Sequence, residues 1–353
     1  MSTESTRGHY ERWFYEETPL KPMGDYFGGS GFADYGYWNE DTRSPVEACE
    51  NLMEKLLEFI PEKQGKILDV ACGLGATTRH VAKHYPPENV TGVDISEKNL
   101  ETCRGNAPGV EFRQMDATRL QFTDETFDAV ISVEAAFHFD TRADFLREAV
   151  RVLKPGGRLV IADVLHERWA DFLSRLLNPL NHIAEPAGYE AVLRRAGLVE
   201  TRVVDVTLQS WIRSNDFGIR WLCDRFRQGR VDRKLFNRMM TTRLSRLACT
   251  RYYLLATGVK PVDAVRTEQS ASAETVEFGG GWVPSGGEPI NGREVLLRDA
   301  SWSGMERAVR LRQTARAEWM IARSLKAEGR LQEARRHQGR ARSCLRAARD
   351  REK

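Results

Sequence analysis

The chain has no CxxC pair and no cysteine–histidine cluster at metal-ligand spacing. Cys49, Cys72, Cys103, Cys223, Cys249 and Cys344 stand apart from one another. That argues against a disulfide framework or a zinc-ribbon domain, and free thiols suit a reducing compartment. No stretch approaches the roughly 18 consecutive apolar residues that span a bilayer. The opening MSTESTRGHYERWFYEE carries acids and has no apolar core of a signal peptide, so the chain reads as cytoplasmic. His80 and His84 fall at i,i+4 on one helical pattern, but the sequence supplies no third ligand, and no metal centre is expected. Large net charge is lacking too, at +3 overall. That balance hides an asymmetry, because residues 301–353 hold 15 Lys and Arg against 6 Asp and Glu, a local +9, leaving −6 for the rest.

What is present is a regular alternation. An amphipathic stretch, PVEACENLMEKLLEFI, places Ala48, Leu52, Leu56 and Ile60 at helical spacing. Short Val- and Ile-rich runs then recur: KILDVAC, NVTGVDI, VEFRQMD, FDAVISVEA and RLVIADV, with a further strand near Val199–Val206 and a last one in RYYLLATGVK. Most lack polar alternation, as strands covered on both faces do. Helical patterns such as ATTRHVAKHY and RADFLREAVRVL separate them. The expected fold is α/β: a Rossmann-like, doubly wound, mostly parallel seven-stranded sheet with helices on both faces. A helical lid insertion and a C-terminal helical extension complete it. The expected division is an N-terminal cap over residues 1–45 and a catalytic domain over 46–262, with lid helices at about 166–190 and 211–248. A Gly-, Ser- and Pro-rich linker or long loop follows over 263–300, then a basic helical hairpin over 301–353.

The informative loop is ILDVACGLGATT. Gly73 and Gly75 let the chain turn sharply from strand to helix and approach a ligand closely. A dinucleotide fingerprint asks for a third small residue where Thr78 stands, which weakens a nicotinamide reading. About twenty residues on, Asp94 ends the next strand, where a carboxylate can accept from ribose hydroxyls. Asp116 and Ala117 end the third.

Taken together, ILDVACGLG, GVDIS, MDATRLQFTDETFDAV and LKPGGRLVIADV resemble the class I S-adenosylmethionine-dependent methyltransferases, in that family's order and spacing, over roughly residues 26–260. The resemblance is to the branch acting on natural products, lipids and prenyl chains. It implies S-adenosyl-L-methionine as cofactor and S-adenosyl-L-homocysteine as product. The backbone around Ala71, Gly73 and Gly75 would face the methionine part, with Asp69 beneath the loop. Asp94, with Ile95 beside it, would hold the ribose. Asp116 would take the adenine amino group, with Ala117 beside the ring, and Glu134 would line the methionine side. DYGYW resembles the entrance segment of small-molecule members, making Tyr37 a candidate contact with the methionine carboxylate.

Methyl transfer from a sulfonium needs a base only when the acceptor starts protonated. His138, in SVEAAFHFD, stands where hydroxyl-methylating relatives often carry a histidine, and Asp163 is placed to orient it. Phe137 occupies the place of the first of two adjacent histidines seen in sugar O-methyltransferases. His166 and His182 are minor candidates. The expected reaction is methylation of a small lipophilic metabolite at a hydroxyl, with His138 as general base. Carbon methylation of a prenyl, sterol-like or polyketide acceptor is the alternative, in which Glu134 and His138 would stabilise a carbocation and remove its proton. Nitrogen methylation and a non-catalytic scaffold rank below these. No aromatic-interleaved basic platform marks a nucleic-acid site in the tail, whose helices permit a homo-oligomer.

Overall fold

The computed structural model describes Gly8, Glu11, residues 25–167 and 179–262, Ala315, Glu318, Trp319, Ala322 and residues 331–349. Most of the expected cap before residue 25, residues 168–178 of the expected lid, the 263–300 linker and most of the hairpin's first half lie outside the described residues.

The elements, in chain order, are α1 (Pro45–Leu57), β1 (Ile67–Val70), α2 (Ala76–Val81), β2 (Val90–Asp94), α3 (Glu97–Asn106), β3 (Glu111–Gln114), β4 (Phe127–Val133), α4 (Arg142–Val152) and β5 (Leu153–His166). They continue with α5 (Pro186–Arg195), β6 (Val199–Asp205), α6 (Arg213–Arg227), α7 (Arg233–Cys249), β7 (Thr250–Val259) and α8 (Leu331–Arg349). The sheet is seven-stranded in the order β3-β2-β1-β4-β5-β7-β6. Strands β1 to β5 pair in parallel, and β7 runs antiparallel between β5 and β6.

Burial explains the run-like strands. Every residue of β1 and β2 is buried, whereas the edge strand β3 buries Phe112 alone. Successive residues feed opposite faces. Ile67, Ile131 and Val160 join α1, α6 and α7 in one core, while Leu68, Val130 and Leu159 join α4 and α5 in the other. Helix starts are locally encoded. Ser44, Ser96, Thr141 and Asp232 each accept a backbone N–H of the first turn that they cap.

The strand order reverses at β1, whose two neighbours, β2 and β4, lead off in opposite directions. A crevice opens at the carboxyl ends of strands at such a point, which is where ligands of this architecture bind.

Candidate active site

The loop after β1 is built on strained backbone. Ala71 has φ 63°, and Gly73 and Gly75 have φ 55° and 80°. The amides of Ala71 and Cys72 both donate to the carbonyl of Val93, at 2.8 and 3.0 Å, which ties the turn to β2. A Cβ at Gly75 would sit 3.0 Å from Cys103 Sγ and 3.1 Å from its Cα, so glycine there lets α3 pack against the loop. At the end of β4 a second non-glycine residue, Glu134, takes φ 51°. Non-glycine residues held in this region cluster at functional sites.

Four carboxylates converge on this edge. Asp69 is buried beneath the loop; its Oδ2 accepts the hydroxyls of Thr77 (2.8 Å) and Thr78 (2.6 Å), while its Oδ1 is buried without a hydrogen-bond partner. Asp94 Oδ2 accepts the amide of Gly73 at 3.0 Å, and its Oδ1 accepts the Ser96 amide and the Asn99 side chain at 2.9 and 3.1 Å. Glu134 Oε1 accepts the Tyr35 amide at 2.6 Å and the Tyr253 hydroxyl at 2.7 Å. Asp34, from DYGYW, is the fourth.

Burial pushes all four up. Asp34 rises to about 7, with the charge of Asp69 adding to the desolvation. Asp69 and Asp94 each rise to about 6, and Glu134 goes well above the ordinary carboxylate range, with Asp34 adding to the burial. No lysine or arginine among the described residues bonds to any of them. Asp34, Tyr35 and Glu134 are half-buried at this edge. A buried cluster of acids with no resident cation, one orphaned oxygen among them, is the electrostatic complement of a positively charged ligand.

Asp116 accepts the Thr118 amide and hydroxyl on Oδ1, both at 2.8 Å, which folds its own loop, and Ala117 packs half-buried beside it. The Ile95 carbonyl accepts the Gln114 side chain at 2.9 Å. Across α3, Ser96 donates its hydroxyl to Glu11 at 2.7 Å, bringing an N-terminal residue to the edge that carries Asp94.

Two expected placements need correction. Tyr37 lies against α1, with Lys55 Nζ 5.8 Å from its ring centroid and its amide donating to Ala48. From this segment it is the backbone amide of Tyr35, two positions earlier, that reaches Glu134, while the Tyr35 ring lies 4.3 Å from that of Trp211 and tilted by 58°. A Cβ at Gly36 would fall 2.6 Å from the Ala48 backbone, so this glycine lets the segment press onto α1. Asp163, expected to orient His138, is fully buried and committed elsewhere. It pairs with Arg142 Nε at 2.7 Å and accepts the Tyr189 hydroxyl and Val164 amide, both at 2.8 Å.

That ion pair still acts on the loop carrying His138. Arg142 also donates to the carbonyls of Val164 and Asn181, and its amide to Asn181 Oδ1 at 2.7 Å. Asn181 in turn donates to the Phe139 carbonyl at 2.9 Å. His138 ends the single helical turn Ala136–His138, its ring half-buried and 3.8 Å from that of Phe137. His166 stands 5.3 Å from Phe137 and is pushed down to about 3 by burial, then by the charges of Arg142 and His138. His166 is therefore a neutral, weakly basic ring, with Nε2 buried and unpartnered.

Comparison with known proteins agrees with this geometry. A model of the methyltransferase domain matches residues 68–161. The chain is 31% identical over 215 residues to the methyltransferase GfsG of Streptomyces halstedii, covering 54% of this chain and 77% of that protein. It is 32% identical over 197 residues to the 27-O-demethylrifamycin SV methyltransferase of Amycolatopsis mediterranei, covering 51% and 72%. Among solved structures, the [4+2]-cyclase SpnF superposes with a TM-score of 0.55 at 22% identity, over 74% of this chain and 98% of that one, a likeness of fold.

Proposed function

The chain belongs to the class I S-adenosylmethionine-dependent methyltransferases acting on small molecules, and from that premise we propose that it methylates a hydroxyl of a small, lipophilic, natural-product-like acceptor. The observation that carries the reading is the cluster of Asp34, Asp69, Asp94 and Glu134 at the carboxyl ends of the strands, with His138 on the loop just after β4. When bound, S-adenosylmethionine supplies an electrophilic methyl group on a sulfonium, together with an ammonium. Asp69, whose Oδ1 is buried without a partner, would hold the ammonium. Asp94 has three of its roughly four acceptor sites filled and keeps one on Oδ2 for a ribose hydroxyl. Asp116 and Ala117 stand at the adenine end, and Ala71, Gly73 and Gly75 at the methionine end.

On the acceptor side, the half-buried ring of Tyr35, backed by the buried Trp211 and Tyr253, supplies apolar surface, so the transfer needs little beyond positioning. An imidazole nitrogen of His138 takes the hydroxyl proton as the oxygen is methylated. Asp163 serves as a positioning residue, holding Arg142 and through Asn181 the loop of His138. The 27-O-demethylrifamycin relative, by its name a methylator of oxygen, supports the hydroxyl assignment. The second reading, carbon methylation of a prenyl or polyketide chain, draws on the same aromatic faces beside Glu134, which suit a carbocation.

Incubation with methyl-labelled cofactor and a panel of polyketide alcohols, phenols and prenyl chains tests this, with label position read by mass spectrometry. Label on oxygen is expected, and His138→Ala should lower turnover by about 10²–10⁴-fold with unchanged cofactor affinity. Label on carbon, or unaltered turnover in His138→Ala, would overturn it.

A further inference from the structure

We propose that Glu54, His80 and His84 form a binding site for a divalent ion of the zinc class, separate from the methyl-transfer site. His80 lies on α2 and His84 just beyond it, one turn apart; the third donor comes from α1, twenty-six residues earlier than His80. Glu54 Oε1 stands 2.7 Å from His80 Nε2 and 2.9 Å from His84 Nε2, and the three ligand atoms lie within 4.8 Å of one another.

Two imidazole nitrogens and a carboxylate oxygen are a donor set that zinc takes in open sites, with water in the fourth position. In a tetrahedral site with bonds of about 2.0–2.1 Å, ligand atoms stand about 3.3 Å apart, so the two carboxylate–imidazole distances must open by only about half an ångström. The site is wet on one side, since the side chains of Glu54 and His84 keep 49% and 27% of their surface, which leaves room for that water. His80 is almost fully buried, so its ring is held by packing at the junction of the two helices. Its Nδ1 is buried without a hydrogen-bond partner, so the ring's orientation rests on what its Nε2 meets. The nearest lysine, Lys83, is paired with Glu50 at 2.9 Å, which offsets its charge beside an incoming cation.

The location gives the ion a structural task. α2 begins at Ala76, directly after the glycine loop, and α1 leads toward β1. A metal bridging Glu54 to the two histidines would pin the helix that carries the loop.

The test is a calorimetric titration of the full chain, stripped by chelator and dialysed, with zinc chloride, alongside a cobalt(II) titration read by absorption. One ion per chain is expected, with visible tetrahedral cobalt bands, no thiolate charge-transfer band, and a rise in Tm reversed by chelator. His84→Ala and Glu54→Gln, both at solvent-facing positions, should each weaken binding by about 10–100-fold. His80→Ala removes a buried ring and is read only if its circular dichroism matches the parent. No zinc uptake, binding equal in parent and His84→Ala, or a thiolate band would each overturn the proposal, the last by moving the ion to the cysteines.

Discussion

Binding of a cationic ligand to this acid cluster should release protons, and the amount can be worked from the structure. Asp34 is pushed up to about 7 and Asp69 to about 6, so at pH 7 they hold about half a proton and about a tenth of one respectively. Glu134, raised further by burial and by Asp34, adds to the store. A positive ligand favours the charged form of each carboxylate, so their titration shifts down and the protons leave. Release of at least about 0.6 proton per ligand is expected at pH 7. The sign follows: affinity for S-adenosylmethionine should rise from pH 6 to pH 8, because releasing protons is easier when fewer are in solution. The assay is calorimetry at pH 7 in two buffers of different ionisation enthalpy, whose difference in apparent heat gives the proton number. Asp34→Asn removes about half a proton of that store and relieves Asp69 and Glu134 of a neighbouring charge, so the release should fall by at least that amount. Proton uptake, or an affinity flat across pH 6–8, would refute the electrostatic reasoning.

The same carboxylates predict that the ligand-free chain loses stability as pH rises. Their folded-state values lie above the unfolded ones, so the stability they contribute is full below about pH 4 and lost by about pH 7. Tm, followed from pH 5 to pH 8, should decline without ligand and decline less with it. Breaking the buried Arg142–Asp163 pair with Arg142→Met should cost about 3–5 kcal/mol in urea unfolding, since Asp163 keeps only the Tyr189 hydroxyl and one amide. The double change Arg142→Met with Asp163→Leu should recover part of that loss. Gly36→Ala places a Cβ 2.6 Å from the Ala48 backbone at φ 74°, and should destabilise by about 1–3 kcal/mol while weakening cofactor binding, both measurable by thermal shift with and without ligand.

The sheet was legible in the sequence because doubly covered strands are written as short apolar runs, and β1, β2, β4 and the β5 core are such runs. Gly73, Asp94 and Asp116 fall at or just past the carboxyl ends of β1, β2 and β3, as their spacing along the chain implies. What escaped depends on contacts made across the fold. Asp34 and Tyr35 meet Glu134 about a hundred residues on, and Gly36 lies against Ala48 at a distance only glycine allows, contacts which no periodicity records. Asp163 ends an apolar strand as a catalytic partner would, but Arg142 and Tyr189, at distances of 21 and 26 residues, claim it. His80 and His84 showed no third ligand in the sequence, and only the packing of α1 on α2 sets Glu54 between them. Gly75 read as a ligand-approach glycine, whereas Cys103 fills the place of its missing Cβ.

The measurement that most directly tests the central claim is calorimetric titration of the full chain with S-adenosylmethionine and, separately, with NADH. Micromolar binding of S-adenosylmethionine, none of NADH, and loss of that binding in Asp94→Ala with the fold intact are the expected results. Binding of NADH, no heat with S-adenosylmethionine, or unchanged affinity in Asp94→Ala would contradict it.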